Sequence, residues 1–349
     1  MLEDLMKAAE LVQPGRIRLA DHTIPDPGPG ELQVKVAAVG ICGSDVLSFS
    51  SGEIGGVECR YPQVLGHEAT GVVVRAGSGV TGWAAGDRAA LEPALYCYHC
   101  EFCRAGRYNI CSQIRFQSSA GEPGFLREFV NLPAENLCAL PPTLGLEEGT
   151  LFEPLAVVLH ALKMVRLEAM ETACVFGAGP IGLLTIAVLK LSGAGRVWAV
   201  DPVAHRREMA RKAGADAVVD PGAVDAAREV LHDTGGRGVD VTIDCANRQR
   251  SLTECAEATR NGGRLVLTGI PHQLETPLNW HIARRKELVI YNVRRSNGES
   301  QAALQMLTEH PDRFLPIITH RMPLEQVQSA FEMLREYADG AGKAVIIFK

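Results

Sequence analysis

The pattern of hydrophobic and polar positions changes near residue 147, from short alternating runs to longer helical ones. Before that point, segments such as PGPGELQVKVAAVGI and GHEATGVVVRAG contain short runs in which apolar and polar residues alternate. Gly- and Pro-rich breaks separate these runs, which is typical of β-strands joined by tight turns. After it, EEGTLFEPLAVVLHALKMV has apolar residues at helical spacing, and apolar strands then alternate with helices. The sequence therefore predicts a β-rich module followed by a parallel α/β sheet.

Six strands are predicted in the second region, where each is a short apolar run between helical segments. They lie at Ala173–Phe176, Val197–Val200, Ala217–Val219, Val239–Asp244, Arg264–Gly269 and Leu288–Val293. Six strands in this arrangement fit one doubly wound parallel sheet. Beyond them, Ser300–Leu307 and Leu324–Leu334 have helical patterns. The run Lys343–Phe348 is a terminal strand that we expect to return to the first module.

Composition and charge narrow the classes of protein to which the chain can belong. Its 349 residues, 46% of them hydrophobic, are enough for two cores and exclude intrinsic disorder. The 35 Lys and Arg residues against 41 acidic residues give a net charge of −6. This balance argues against a general nucleic-acid or anionic-membrane binder, so we expect a small-molecule partner.

The sequence predicts a reduced cytoplasmic protein without a targeting or membrane segment. Glu3 and Asp4 stand where a secretory signal needs a basic start and an apolar run. The uncharged stretch Ala173–Leu189 is nearly long enough to span a bilayer, but Gly179 and Pro180 within it indicate a strand, a turn and a helix. Four of the ten cysteines are crowded at metal-ligand spacings rather than distributed as in a disulfide framework.

A dinucleotide-binding loop is predicted in the segment ACVFGAGPIGLL. Gly177, Gly179 and Gly182 form the G-x-G-x-x-G pattern directly after a strand and at the start of a helix. The first glycine permits the tight turn, the second lets a pyrophosphate approach the backbone, and the third lets the helix pack on the sheet. Pro180 and Ile181 lie inside the loop, where the amides of the helix start face phosphate.

Asp201 stands 19 residues after the last glycine of this loop, where an acid can accept hydrogen bonds from the adenosine ribose hydroxyls. Such an acid repels a ribose 2′-phosphate, which favours NAD(H) over NADP(H). Arg206 and Arg207 follow it and leave NADP(H) open, and Arg206 is itself a candidate nucleotide contact. The alternative interpretation is that the glycines only form a tight turn and that Asp201 caps a helix.

Four cysteines form the pattern C-x2-C-x2-C-x7-C, namely Cys97, Cys100, Cys103 and Cys111. Four thiolates at this spacing close around one tetrahedral Zn²⁺ and leave no open position, so the lobe 97–111 is predicted to hold a structural zinc ion. An iron–sulfur cluster is the main competitor, but in that motif the fourth cysteine follows after three residues and precedes a proline. His99 lies inside the loop and is predicted to be exposed, because four cysteines fill the coordination shell.

Other metal-type residues are scattered along the chain: Cys42 in GICGSD, His67 and Glu68 in LGHEATG, and Glu153 in FEPLAVVLH. Each of them alone also has a structural interpretation. A single cysteine is often buried packing, a single histidine is often a hydrogen-bonded structural residue, and Glu153 fits the first turn of a helix.

The order of these motifs along one chain resembles the zinc-dependent medium-chain dehydrogenase/reductase family, and within it the sorbitol (polyol) dehydrogenase branch. The motifs are GICGSD, LGHEATGVV, the four-cysteine lobe, EPLAVVLHA and GAGPIG followed by Asp201. The resemblance implies a GroES-like β-barrel domain at 1–152, a Rossmann domain at 153–293 and a segment 294–349 that completes the first domain. It also implies an active site between the two domains and a homotetramer or homodimer.

The resemblance further implies that Cys42 and His67 bind a catalytic zinc ion, the second of two per chain. Glu68 or Glu153, or water held by one of them, would complete the tetrahedron. Neighbouring residues of a regular strand point to opposite faces, so His67 and Glu68 could not both face the metal in such a strand. Which glutamate binds directly is therefore left open.

The remaining site residues are also implied by the resemblance. Asp45 would fix the tautomer of the histidine ligand, and Ser44 would touch the substrate hydroxyl and pass on its proton. Arg294 stands where sorbitol dehydrogenases present an arginine to substrate hydroxyls, whereas Arg295 replaces their common tyrosine. Phe49 is a candidate for lining the pocket. His160, in an apolar helical context, is predicted to be a packing residue.

The expected activity is NAD-dependent oxidation of a secondary alcohol, in a polyol, cyclitol or sugar-derived substrate, to the ketone. Zinc would act on the alcohol oxygen as a Lewis acid, and nicotinamide would accept the hydride. A threonine 3-dehydrogenase-like activity is the alternative among enzymes, and a non-catalytic NAD-binding protein is the alternative outside them. A zinc-free quinone reductase is disfavoured, because it would need neither Cys42 nor His67.

Overall fold

A computed structural model describes residues 5–246, 248–271 and 273–349, so Glu3 and Asp4 lie outside the described residues. The strands are β1 Leu5–Gln13, β2 Arg16–Thr23, β3 Glu31–Gly40, β4 Glu53–Ile54, β5 Val57–Glu58, β6 Gln63–Val64, β7 Glu68–Ala76, β8 Arg88–Leu91, β9 Ala94–Leu95, β10 Arg115–Phe116, β11 Phe129–Pro133, β12 Leu137–Ala139, β13 Ala173–Phe176, β14 Val197–Val200, β15 Ala217–Val219, β16 Val239–Asp244, β17 Thr259–Leu267, β18 Val289–Asn292, β19 Ile318–Pro323 and β20 Lys343–Ile347.

The α-helices are α1 Gly43–Ser51, α2 Glu101–Arg104, α3 Leu146–Gly149, α4 Phe152–Val165, α5 Pro180–Leu191, α6 Ala204–Ala213, α7 Ala226–Asp233, α8 Gln249–Ala258, α9 Trp280–Arg285, α10 Ser300–Glu309, α11 Pro311–Phe314 and α12 Val327–Glu336. Short 3₁₀ turns lie at Tyr108–Ile110, Ala134–Asn136, Leu315–Ile317 and Leu324–Gln326. The longest helices, α4 and α5, both lie in the part of the chain where the sequence pattern becomes helical.

The chain divides into two compact units. The first contains the described residues up to Glu153, together with Ser300–Pro311 and Ile318–Lys349. The second contains Pro154–Glu299 and Asp312–Ile317. The C-terminal strand thus returns to the unit formed by the start of the chain.

The first unit is built around a seven-stranded sheet in the order β12-β8-β7-β3-β20-β19, with β11 also paired with β3. Strand β3 pairs antiparallel with β7, which places Gly40 opposite Glu68, and antiparallel with β20, which places Gly40 opposite Val345. Apolar side chains of these strands, such as Leu32 and Ile346, are fully buried in one hydrophobic core. The end of β3 at Gly40 therefore lies between β7 and the returning C-terminal strand.

The second unit holds a six-stranded parallel sheet in the order β15-β14-β13-β16-β17-β18. This order starts at a central strand, runs to one edge and then to the other, which is the doubly wound arrangement that the sequence predicts. Strands β13 to β16 have the predicted bounds. Strand β17 begins five residues earlier than predicted, because the chain enters it directly from α8 and the Asn261-Gly262-Gly263 segment lies within the strand rather than in a turn.

The uncharged stretch that begins at Ala173 forms β13, the glycine turn and α5, as predicted. Within the described parts of the chain, no helix combines the length and the apolar character needed to cross a bilayer.

Candidate functional site

The four cysteines of the lobe lie together in the first unit, and their sulfur atoms are all within 4.8 Å of one another. Helix α2 begins directly after Cys100, and the backbone N–H of Cys103 donates to the Cys100 sulfur at 3.4 Å. Backbone donors also lower the pKa of Cys100 to about 5. Stabilised thiolates of this kind are metal ligands.

The sulfur separations in the lobe fit one tetrahedral zinc ion. Cys97 Sγ lies 3.5 Å from Cys111 Sγ and 3.9 Å from Cys103 Sγ, and Cys100 Sγ lies 3.9 Å from Cys111 Sγ. Zn–S bonds of about 2.3 Å in a tetrahedron place the sulfurs about 3.8 Å apart. All ten cysteines are in the described residues and none forms a disulfide. His99 is exposed, and its Nδ1 contacts the Cys97 carbonyl oxygen at 2.6 Å.

A second cluster in the first unit brings together Cys42, His67 and Glu68, whose potential ligand atoms also lie within 4.8 Å of one another. Cys42 is the N-terminal cap of α1, and its backbone N–H donates to Asp45 Oδ2 at 3.1 Å. His67 follows Gly66, which has a φ of +90°, and precedes β7. The three side chains therefore come from a helix start and a strand start that are distant in sequence.

Asp45 joins the two segments that carry this cluster. Its Oδ1 accepts from the Gly66 N–H at 3.2 Å and from the Ser118 hydroxyl at 2.8 Å, and it lies 3.3 Å from His67 Nδ1. Burial opposes ionisation of Asp45, but His67 and these donors outweigh it and lower the pKa of the carboxyl group. With Nδ1 facing Asp45, Nε2 is the nitrogen of His67 left for a metal ion.

His67 is buried, and the electrostatic surroundings of its ring are strongly negative. Burial disfavours the imidazolium, but Asp45 and then Cys42 favour it, and the pKa of His67 is well above its usual value. The proton and a metal ion compete for the same ring nitrogen.

The structure groups Glu68, rather than Glu153, with Cys42 and His67 among the described residues. His67 lies outside the strand and Glu68 is the first residue of β7, so the strict alternation of a regular strand does not apply to the pair. The restriction that holds for neighbouring residues of a regular strand therefore does not exclude Glu68, and Gly66 before the pair has a φ of +90°. Both side chains are buried.

Glu153, the second residue of α4, is buried in the same unit. Burial raises the pKa of its carboxyl group to about 7, helped by Glu68 and opposed by His67 and Lys343. Glu68 itself forms an ion pair with Lys343, a fully buried lysine at the start of β20. The buried carboxyl groups of Glu68 and Glu153 and the ammonium group of Lys343 therefore lie close together in the interior of the first unit.

The donor set of thiolate, imidazole and carboxylate fits zinc, which binds sulfur, nitrogen and oxygen ligands in four-coordinate sites. Both carboxylate oxygens of Glu68 are buried without a hydrogen-bond partner among the described residues, which is the condition expected of a group that binds an ion. Three protein ligands would leave a fourth position for water or substrate, unlike the closed four-cysteine site.

The other predicted substrate contacts lie in different surroundings. Ser44 is half-buried in the first turn of α1, two residues after Cys42. Phe49 is fully buried in the core of the first unit, with its ring centroid 5.2 Å from that of Phe331, and its role toward a substrate stays a prediction. Arg294 is exposed in the second unit, after β18, and its role stays a prediction.

The glycine loop of the second unit has the geometry that close backbone approach requires. Gly177 has a φ of +93°, and a Cβ there would lie 2.7 Å from the Ala246 nitrogen. A Cβ on Gly182 would overlap the Gly177 carbonyl oxygen, whereas one on Gly179 would meet only Arg206, at 3.9 Å. Gly179 caps α5, with Pro180 as its first residue, so open space adjoins the helix N-terminus.

Asp201 is buried at the end of β14 and has a structural role in this loop. Its Oδ2 accepts from the Ala178 N–H at 2.7 Å, and its Oδ1 accepts from the Val203 N–H, the cap of α6, at 2.8 Å. Each oxygen retains a second lone pair for a ribose hydroxyl. Arg207 donates to the Asp201 carbonyl oxygen and pairs with Asp220 at 2.9 Å, so its guanidinium is already engaged.

His160 is mostly buried on α4, with its Nδ1 3.4 Å from Glu299 Oε1. The structure thus places it with a structural partner, as predicted.

Two residues beside the cluster of Cys42, His67 and Glu68 were not identified from the sequence. Ser118 has no motif around it, and it reaches Asp45 only because its segment folds back onto α1. Lys343 precedes an apolar run, and a charged residue at the start of a strand is ordinarily a solvated one. Knowledge that β20 is buried would have been needed to infer that Lys343 has a charged partner.

Comparison with known families gives two matches along the chain. The alcohol dehydrogenase GroES-like domain matches residues 28–142, which contain both metal-type clusters. The zinc-binding dehydrogenase domain matches residues 180–309, which begin at the first residue of α5. The two matches follow the predicted order of a GroES-like domain and a nucleotide-binding domain.

Relatives of known name cover almost the whole chain. Sorbitol dehydrogenase from Homo sapiens is 38% identical over 326 residues, which is 93% of this chain and 91% of that protein. Sorbitol dehydrogenase from Bacillus subtilis is 33% identical over 341 residues, which is 98% of this chain and 97% of that protein. A solved structure of a zinc-binding dehydrogenase from Sinorhizobium meliloti bound to NADP has a TM-score of 0.90 at 30% identity, covering 99% of both chains.

Replacing Cys103 by serine is expected to remove zinc from the four-cysteine lobe, because a neutral hydroxyl is a poor substitute for a thiolate ligand. Metal analysis of the purified variant should show a loss of about one zinc ion per chain. Cys138→Ser, at a half-buried cysteine outside both clusters, is the matched control. Equal zinc in the two variants would contradict the assignment.

Replacing Asp201 by serine is expected to raise the KM for NAD by about tenfold or more, because hydrogen bonds to the ribose are lost. The KM for NADP should rise less, so the ratio of the two values is the measurement. Asp216→Ser, an exposed acid of the same unit, is the control. An unchanged ratio with an unchanged melting temperature would exclude Asp201 from nucleotide recognition.

Proposed function

Because the chain belongs to the zinc-dependent medium-chain dehydrogenase/reductase family, in its sorbitol dehydrogenase-like branch, we propose that it oxidises a secondary alcohol of a polyol, cyclitol or sugar-derived substrate to the ketone with NAD. The alcohol loses a hydride to the nicotinamide and a proton to the protein and solvent. The resemblance to two sorbitol dehydrogenases supports a polyol rather than a simple alcohol.

The convergence of Cys42, His67 and Glu68 is the observation that carries this proposal. We assign these three residues as the protein ligands of a catalytic zinc ion, with Glu153 holding a water molecule beside them. The two sites together give two zinc ions per chain, one catalytic and one structural in the four-cysteine lobe.

When bound, zinc supplies Lewis acidity toward an alcohol oxygen, and a nicotinamide supplies the hydride acceptor. Asp45 keeps His67 in the tautomer that is protonated on Nδ1, so the lone pair of Nε2 can bind a metal ion. Ser44, half-buried beside Cys42, contacts the substrate hydroxyl and passes on its proton. Glu153, with a pKa of about 7, can hold or release a proton at neutral pH.

NAD rather than NADP is supported by the surroundings of the glycine loop. The Asp201 carboxylate would repel a ribose 2′-phosphate, and Arg207 is engaged by Asp220. Arg206, whose guanidinium lies near Gly179, is assigned to the nucleotide phosphates or adenosine ribose. The NADP in the Sinorhizobium meliloti structure makes the cofactor preference of this chain worth direct measurement.

The alternatives of a threonine 3-dehydrogenase-like activity and of a non-catalytic NAD-binding protein receive no support from the relatives. The homotetramer or homodimer and the cytoplasmic location stay predictions.

A panel of polyols, inositols, aldonates and L-threonine, assayed by NADH formation, tests the reaction class. We expect turnover with one or more polyhydroxy alcohols and little with L-threonine, because the related proteins are named sorbitol dehydrogenases and sorbitol is a polyhydroxy alcohol. Nucleotide binding without turnover of any alcohol would contradict the proposal.

Replacing Cys42 by alanine is expected to lower kcat by at least about a thousandfold, because Lewis-acid stabilisation supplies several kcal/mol. NAD binding, measured by NADH fluorescence, should change little, since the glycine loop belongs to the other unit. Cys138→Ala serves as the control. Full activity of the Cys42 variant without zinc at this site would disprove the mechanism.

A further inference from the structure

Lys343 and Glu68 approach each other across the end of β3. Glu68 is the first residue of β7 and Lys343 the first of β20, the two strands that flank β3. Gly40 lies between them in the sheet. A Cβ on Gly40 would overlap Glu68 Oε2 and approach Lys343 Cε to 3.0 Å. Glycine at this position is therefore required for space, because any side chain would displace the ion pair.

The ion pair is sealed from solvent, since the side chain of Lys343 is 1% exposed and that of Glu68 is 0% exposed. Lysine is rarely buried to this degree without a specific partner. The Glu68 carboxylate is that partner, so the pair places a lysine side chain directly against the candidate metal cluster inside the first unit.

The two oxygens of Glu68 have different surroundings. Both oxygens are buried without a hydrogen-bond partner among the described residues, but Oε2 forms the ion pair with the Lys343 ammonium. The same carboxylate lies within reach of Cys42 and His67. One oxygen is therefore fixed by the lysine while the other remains for an ion.

We propose that Lys343 is a positioning residue of the catalytic zinc centre, which holds Glu68 through one oxygen so that the other binds the metal. This inference rests on the proposed function. The C-terminal strand then contributes to the centre that the N-terminal strands form.

The charges of the centre support this role. The Cys42 thiolate and the buried carboxylates of Asp45 and Glu68 are crowded into this part of the interior, where an uncompensated charge is costly. Lys343 is the cation paired with one of these carboxylates, so it offsets part of the negative charge that the zinc ion would have to balance.

Lys343→Met tests the proposal, because methionine keeps much of the length and removes the charge. Zinc release to a chromogenic chelator is measured on the purified protein, in which the four-cysteine zinc is an internal reference. We expect the second zinc ion to be released about 10- to 100-fold faster, as for other residues that orient metal ligands. Release from the four-cysteine lobe should not change. Cobalt-substituted protein should also show an altered d–d spectrum at the second site.

A double-mutant cycle with Glu68→Gln separates positioning from general stability. In the Glu68→Gln background, Lys343→Met should have little further effect on zinc release, because the carboxylate that it orients is gone. The double variant also leaves no unpaired charge, so it should fold even where the single variant does not. Lys35→Met, at an exposed lysine of β3, is the matched control.

Unchanged or slower release from the second site in the Lys343→Met protein would overturn the proposal. Equal effects of Lys343→Met in both backgrounds would also overturn it and indicate a general stabilising role. A wild-type protein that holds two zinc ions but oxidises no polyol would refute the proposed function alone, because the release experiment does not depend on turnover.

Discussion

Negative charge concentrated in the interior of the first unit is the constraint on which the candidate site depends. Asp45, Glu68 and Glu153 are all buried, and Cys42 stands beside them. Buried like charges are tolerated only with compensating cations. Lys343 is one such cation within the chain, and a divalent ion fits the remaining demand. Burial raises the pKa of Glu153 to about 7, so the same interior disfavours an ionised carboxylate there.

Much of the fold could be predicted from the sequence because the Rossmann-type unit has strong local signals. Short apolar runs, helical spacing and the glycine turn fix β13 to β16 within their observed bounds. The start of β17 could not be predicted, because Gly262 and Gly263 have the pattern of a turn, and the register between β17 and β16 shifts in this stretch. The return of β20 to the first unit was expected, but its pairing with β3 and their register depend on packing that no local pattern encodes.

The candidate site was predicted unevenly, for physical reasons that differ between residues. The four cysteines of the lobe are close in sequence, so their spacing alone predicts their meeting. Cys42 and His67 are distant, and only the resemblance to a family indicated that they converge. Phe49 is packed in the core, and an aromatic residue on α1 fits a core and a pocket wall equally well from sequence. Lys343 was missed, because it meets Glu68 only through the space that the absent side chain of Gly40 leaves in the folded sheet.

Anomalous diffraction from crystals at the zinc absorption edge tests the central claim most directly. The account predicts two strong peaks per chain, one among the four cysteines and one within bonding distance of Cys42 Sγ, His67 Nε2 and Glu68. The second peak should lie about 2.0 to 2.3 Å from these atoms. A zinc-replete protein whose crystals show only the peak among the four cysteines would contradict it.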